Sequence, residues 1–173
     1  MTSGQLNSLQ WDFLRAFFQR ESHFFLTGGA ALAGFHLHHR DAEDLHLFTL
    51  EDVLAEGARV IQQVARELHG TIEPIQTSPD FRRLILRRGD EAIVVDLIRE
   101  YTVQAFTEKQ MLNGIRVDPP GEILANKLCA LLSRSEIRDL VDVRALELAG
   151  YRVEDWLKSA AEKDSGLTPA QLG

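Results

Sequence analysis

The sequence contains a single cysteine, Cys129, and no long hydrophobic run. One cysteine cannot form an internal disulfide, and it excludes a zinc site built from several thiolates. No apolar stretch approaches the roughly 20 residues that a membrane-spanning helix requires. The first residues also lack the basic and then apolar order of a signal peptide. These absences predict a cytoplasmic protein with no membrane partner.

The charge balance is acidic, with 26 Asp and Glu against 19 Lys and Arg and a formal net charge of −7. This balance argues against general coating of nucleic acid, although a local basic patch on an acidic protein can still hold phosphates. Hydrophobic residues make up 45% of the chain and charged residues 26%, as in soluble globular proteins with a real core. The length of 173 residues predicts one domain, or one domain with a small appendage.

Hydrophobic periodicity divides the chain into strands and helices. Short apolar or alternating runs predict the strands His23–Thr27, Leu45–Phe48, Ile72–Gln76, Phe81–Arg87 and Ala92–Ile98. A helical spacing of apolar residues predicts the helices Leu6–Arg20, Ala30–His39, Glu51–His69, Pro120–Ser133, Glu136–Leu148 and Glu154–Glu162. A short extended piece, Gly114–Val117, precedes a hinge at Pro119 and Pro120.

The predicted fold is therefore α/β (α+β mixed), a mixed β-sheet with helices followed by a helical C-terminal lobe. Residues 1–118 are expected to form the core and residues 119–173 the helical lobe. At the end of the sequence, Thr168, Pro169 and Gln171 follow the pattern of a helix start, with Thr as N-cap and Gln three residues later. A further helix is predicted to begin there.

A glycine pair, Gly28 and Gly29, lies where the first apolar strand meets a helix. Glycines at such a point let backbone N–H groups approach a phosphate closely, and the helix N-terminus adds positive potential. Taken alone, the pair is explained more simply by a tight strand-to-helix turn that needs positive φ. Both interpretations stay open at this level.

Three side chains on two strands indicate a metal site. Asp44 and His46 are two residues apart, so strand alternation puts both on one face while Leu45 and Leu47 take the other. Asp96 interrupts a nearly continuous apolar strand, where a lone carboxylate is costly to bury without a cation or donors. If the two strands are neighbours, the three side chains converge on a divalent metal. The alternatives are a turn role for Asp44, a surface position for His46 and an ion pair for Asp96.

Charged residues elsewhere have simpler interpretations. Asp139 and Asp142 share one helix face, and with Lys127 and Arg138 they fit a solvated, salt-bridged surface. The histidines and Arg40 that end the second helix favour its negative dipole end. The strand FRRLILRR carries the arginines Arg82, Arg83, Arg87 and Arg88. Such charges either blunt an edge strand or form a surface for an RNA acceptor.

Two segments together resemble a known family. FLTGGAALAGFHLHHRDAEDLHLF is similar to the signature of the nucleotidyltransferase superfamily, a GG or GS turn followed after a spacer by an acid, an apolar residue and a second acid. GEILANKLCALLSRSEIRDLVDVRALEL is similar to the C-terminal helical motif of the AbiEii/AbiGii toxin-type branch, a Lys and then Arg-Asp-x-x-Asp on the next helix. The resemblance covers roughly residues 24–148.

The resemblance implies a two-lobed nucleotidyltransferase fold and a function. Gly28 and Gly29 would lie against the phosphates of an NTP, Asp44 and Asp96 would bind a divalent metal, magnesium or manganese, and Lys127 would contact the triphosphate. Asp139 or Asp142 would complete the site from the helical lobe. Members transfer a nucleotide to RNA or protein acceptors, and several are toxins with a cognate antitoxin.

One departure from the family pattern affects the expected activity. His46 stands where the second acid is expected, and the spacer from Gly29 to Asp44 is slightly long. Magnesium prefers oxygen ligands, whereas an imidazole suits manganese, zinc or other transition ions better. The sequence therefore supports two functions: nucleotidyl transfer from an NTP, or a catalytically degenerate fold that binds a nucleotide, RNA or a protein.

Overall fold

A computed structural model describes residues 5–133 and 137–163 of the chain. Its helices are α1 (Ser8–Arg20), α2 (Gly28–Ala31, continued by a π-helical turn over Leu32–His36), α3 (Leu54–Glu67), α4 (Pro120–Ser133), α5 (Ile137–Leu148) and α6 (Val153–Lys163). Its strands are β1 (Phe25–Thr27), β2 (Asp44–Thr49), β3 (Thr71–Ser78), β4 (Phe81–Arg88), β5 (Glu91–Arg99), β6 (Gln110–Leu112) and β7 (Ile115–Val117). The helix start predicted at Thr168, Pro169 and Gln171 lies outside the described residues.

The described strands form one seven-stranded sheet in the order β3-β4-β5-β2-β1-β7-β6. β2 pairs in parallel with β5 and β1 in parallel with β7, whereas the other neighbouring strands are antiparallel. The predicted mixed α/β fold is confirmed. Because β2 and β5 are direct neighbours, the strand of Asp44 and His46 lies beside the strand of Asp96.

The hydrophobic core lies between one face of this sheet and the helices α1 and α3. Along β2, buried and half-buried residues alternate, so Leu45 and Leu47 join the core while Asp44 and His46 project from the opposite face. The largest fully buried core side chains are Phe13, Phe17, Phe24, Leu9, Leu14, Leu26, Leu32, Leu45, Leu47, Ile61, Leu86 and Leu97. Each contributes about 1.5–3 kcal/mol of burial free energy. The burial of these core side chains therefore determines which strand residues project from the opposite face of the sheet.

The helices α4, α5 and α6 form the helical lobe, in which α4 packs against both of the others. Gly121 allows α6 to approach α4 closely, because a Cβ there would lie 2.2 Å from the Trp156 ring. The chain enters this lobe directly from β7, and α4 also contacts α2. The domain boundary between residues 118 and 119 stays a prediction.

The helix predicted over Ala30–His39 is too long in that prediction. The helix widens into its π-helical turn and ends at His36, and His38 takes a left-handed conformation with φ 52°. The His36 ring Nε2 lies 2.8 Å from the backbone oxygen of Asp118, which holds this end of the helix at the start of the helical lobe.

At the sheet, one expectation is corrected and another is confirmed and extended. β4 is an internal strand between β3 and β5, so its arginines do not blunt an edge. The extended piece Gly114–Val117 is half of a hairpin formed by β6 and β7. Its turn uses Asn113 and Gly114, with φ 53° and 79°, the left-handed pair that a two-residue hairpin requires.

Candidate functional site

A cleft of about 440 Å³ lies between the sheet face opposite the core and the helical lobe. We call it the interlobe cleft. Its lining combines the glycine turn, strand acids, several cations and a few apolar side chains. The lining residues are Thr27, Gly28, Gly29, Ala30, Arg40, Glu43, Asp44, His46, Phe48, Glu100, Thr102, Ile123, Asn126, Lys127, Cys129, Ala130, Arg138, Asp139 and Lys163.

Both glycines of the turn between β1 and α2 are required by the geometry. Gly28 has φ 71°, a conformation that strains any residue with a side chain. Gly29 provides space instead, because a Cβ there would lie 2.1 Å from Nη2 of Arg40. The Arg40 guanidinium therefore lies directly against the start of α2, where backbone N–H groups already favour anions.

A row of polar side chains crosses four strands on the cleft face of the sheet. Backbone register pairs Thr27 with His46, His46 with Asp96, and Asp96 with Arg83. Side chains at paired positions project to the same face and lie next to each other. The sheet register, which joins segments up to 70 residues apart, thus assembles this part of the site.

Asp44, His46 and Asp96 lie together, with one potential ligand atom from each within 4.8 Å of the others. The Nε2 atom of His46 is 3.3 Å from Oδ2 of Asp96. Asp44 makes no hydrogen bond or ion pair in the described ranges, so its carboxylate is available for ligation. The structure brings together all three residues that the sequence selected.

Arg83 is the site residue that sequence reasoning did not assign. Its Nε and Nη2 atoms donate hydrogen bonds of 2.8 and 2.9 Å to the two oxygens of Asp96. Burial by itself raises the pKa of Asp96, but the hydrogen bonds from Arg83 and His46 outweigh it and hold the pKa below its ordinary value. The ion pair that was an alternative for Asp96 is therefore present, within the same cluster as Asp44 and His46.

The cluster fits a divalent ion that accepts an imidazole beside carboxylates, as manganese does. It fits magnesium less well, because one of the three donors is nitrogen. Asp96 retains ligand capacity while bound to Arg83, since an ionised carboxylate offers about four lone-pair positions. An ion there would still share Asp96 with a guanidinium.

A second ionic cluster lies beside the glycine turn, where side chains of α4 and α5 meet the segment that follows α2. Asp142 is fully buried and contacts two cations and an imidazole at once. Arg40 donates two hydrogen bonds of 2.8 Å, Lys127 lies 2.9 Å away, and His39 Nε2 lies 2.6 Å away. Burial raises the pKa of Asp142, yet the Arg40 hydrogen bond and the Lys127 charge dominate and lower it well below its usual range.

Lys127 reaches the interlobe cleft from within this cluster. It is 7% exposed, and its Nζ atom is 2.9 Å from both Asp139 and Asp142. The interpretation of these three residues as a solvated surface is wrong, because all three are buried. Arg138 does reach the surface, where its Nη1 is 2.6 Å from Glu43. The resemblance placed Lys127 near the glycine turn, and the shared lining of the cleft puts both at one site.

The fold and the cleft together define a class of protein. A mixed sheet with a glycine turn after its first strand, acids on the neighbouring strand and a helical lobe closing the cleft is a nucleotidyltransferase fold. The structure is similar to the crystal structure of JHP933 from Helicobacter pylori, with a TM-score of 0.67 and 19% identity over 95% of this chain and 76% of that one. It is equally similar to a candidate nucleotidyltransferase from H. pylori, with a TM-score of 0.67 and 18% identity over 95% and 78%.

A family model identifies the particular family. Residues 12–166 match the nucleotidyl transferase AbiEii toxin family of the type IV toxin–antitoxin system, and the chain belongs to that family. No curated protein matches the sequence significantly. Across residues 5–133 and 137–163, no helix has both the length and the apolar character needed to cross a membrane.

Proposed function

We propose that the interlobe cleft binds an NTP and that the protein transfers the nucleoside monophosphate to an RNA or protein acceptor. The observation that carries this proposal is the convergence of Asp44, His46 and Asp96 on the cleft that also contains the glycine turn. Family membership supports the reaction class.

In this proposal, backbone N–H groups and two cationic side chains bind the triphosphate. Gly28 and Gly29 allow backbone N–H groups to approach the phosphates, and Arg40 and Lys127, which both line the cleft, add positive charge. Asp142 binds both of those cations, and Asp139 binds Lys127, so the two acids act as positioning residues. They hold the cations in place before the substrate arrives.

Asp44, His46 and Asp96 would hold the divalent ion, and manganese suits this donor set best. The bound ion supplies charge that neutralises phosphate oxygens during transfer. Asp44 makes no hydrogen bond or close ion pair in the described chain, so it is the side chain on which metal binding depends most. His46 contributes less charge than the carboxylate it replaces.

Incorporation of labelled NTP into a cell-derived RNA and protein mixture tests the transfer. Each of the four NTPs is assayed with manganese and with magnesium. We expect incorporation with manganese, loss of incorporation in Asp44→Asn, and no change in the matched control Asp90→Asn, whose side chain is exposed in the turn between β4 and β5. Equal activity of Asp44→Asn and wild type would refute the assignment.

A second candidate function is nucleotide binding without transfer. It is favoured by one observation, the Arg83 side chain that neutralises Asp96 next to an imidazole. In that case calorimetry detects NTP binding that needs Arg40 and Lys127, while incorporation stays at background with either metal. The two candidates thus differ in incorporation and agree in binding.

The family also gives the biological setting, a toxin that a cognate antitoxin counteracts. For this chain we propose toxicity that depends on the transfer site. Induced expression in a bacterial host is expected to slow growth for wild type and for Asp90→Asn, and to leave growth normal for Asp44→Asn at equal protein level. Equal toxicity of Asp44→Asn would separate toxicity from the cleft.

A further inference from the structure

Arg83 lies where it affects metal binding without serving as a ligand. Its guanidinium binds both oxygens of Asp96 in a side-on fork, with distances of 2.8 and 2.9 Å. Arg–carboxylate forks of this kind are among the strongest ion pairs in proteins, and they occupy the favoured lone pair of each oxygen. The carboxylate that a divalent ion needs is therefore already committed to a cation of the chain itself.

The contact is fixed by the fold. Arg83 and Asp96 are register partners in the antiparallel pair of β4 and β5, and His46 is the register partner of Asp96 on its other side. Strand pairing, and not a loop, therefore sets the positions from which the two side chains meet. Arg83 keeps 40% of its side chain exposed, and it lies 5.6 Å from the ring of Phe81 on the same strand face. The guanidinium therefore contacts the Phe81 ring while it is bound to Asp96.

The fork lowers the negative charge that the metal donors offer to an ion. Asp44 and Asp96 supply two negative charges, His46 supplies none when neutral, and Arg83 cancels one of the two. The cluster then has a net charge of −1, and its positive charge, the Arg83 guanidinium, lies beside the position of the divalent ion. Nearby like charges weaken cation binding strongly when the site is shielded from water.

We propose that Arg83 competes with the divalent ion for Asp96 and keeps the metal affinity of the site low. The inference rests on the proposed function, because it concerns the ion that transfer would use. A divalent ion on Asp96 would share the carboxylate with the guanidinium, which occupies one lone pair on each oxygen and places a positive charge beside the ion.

Calorimetric titration of manganese into the purified full chain tests this competition without any activity measurement. Arg83→Gln removes the charge, Arg83→Lys keeps the charge but not the fork, and Arg87→Gln is the matched control. Arg87 lies on the same face of β4 and pairs with Glu73 away from the cluster. We expect Arg83→Gln to bind manganese about tenfold more tightly than wild type, Arg83→Lys to lie between the two, and Arg87→Gln to match wild type.

Each outcome decides a different claim. Equal manganese affinity of wild type and Arg83→Gln overturns the competition and leaves the proposed metal site in place. Absence of manganese binding in both proteins, with circular dichroism showing them folded, overturns the proposed metal site and the competition together. Tighter binding in Arg83→Gln that persists after Asp44→Asn and Asp96→Asn are added places the ion elsewhere and also overturns the inference.

Discussion

His46 is the residue that most changes the expected chemistry of the site, because it stands where the resemblance implies a carboxylate. Replacing His46 with Asp adds an oxygen donor and a negative charge on the same strand face, without altering the burial of Leu45 and Leu47. We expect magnesium to bind His46→Asp about tenfold or more tightly than wild type, as measured by calorimetry. His38→Asp, an exposed change of the same kind, should leave magnesium affinity unchanged.

At Gly29, one added methyl group is expected to affect both stability and NTP affinity. A methyl group there meets the Arg40 guanidinium at 2.1 Å, so Gly29→Ala should push Arg40 away from Asp142 and lower stability by about 1–3 kcal/mol. NTP affinity should fall as well. A double-mutant cycle in chemical denaturation checks the cause: with Arg40→Ala already present, Gly29→Ala should cost little more. Full additivity of the two changes would contradict the steric explanation.

At the scale of elements, the Asp142 cluster joins α5 and α4 to the segment that follows α2. Removing the charge with Asp142→Asn leaves Arg40, Lys127 and His39 without their common partner, and it should destabilise the protein by about 3–5 kcal/mol in urea unfolding. Glu147→Gln changes an exposed acid on the same helix and serves as the control. A loss no greater than that of Glu147→Gln would show that the cluster does not hold the lobe to the core.

The same cluster predicts an acid dependence of stability. The pKa of Asp142 is depressed in the folded state, so its contribution is fully present above its unfolded value of about 3.8 and is lost as pH falls below that value. The free energy of unfolding of wild type should therefore fall more steeply below pH 4 than that of Asp142→Asn. Parallel pH profiles for the two proteins would contradict the assignment.

The elements also show what the sequence could and could not predict. Local periodicity correctly placed most helices and strands, and alternation put Asp44 and His46 on one face. The partnership of Arg83 with Asp96 depends on the register of two strands, which no local pattern specifies. The hairpin of β6 and β7 was missed although Asn113–Gly114 is a strong turn signal, because the strands on either side are only three residues long.

At the scale of the whole molecule, the net charge is −7, yet the cleft has several cations around its glycine turn. Sequence patterns favoured a solvated surface for Lys127, Asp139 and Asp142 because each residue type is ordinarily exposed. The packing of α4 and α5 against the core instead removes all three from water.

The central claim is that one cleft holds both a divalent ion and the triphosphate of an NTP. A crystal structure of the protein with manganese and a non-hydrolysable NTP analogue, with anomalous data to locate the ion, tests it most directly. The account predicts an anomalous peak bounded by Asp44, His46 and Asp96, with the triphosphate against Gly28 and Gly29. Nucleotide bound outside this cleft, or bound in it with Arg83 still on both oxygens of Asp96 and no peak beside them, would contradict the account.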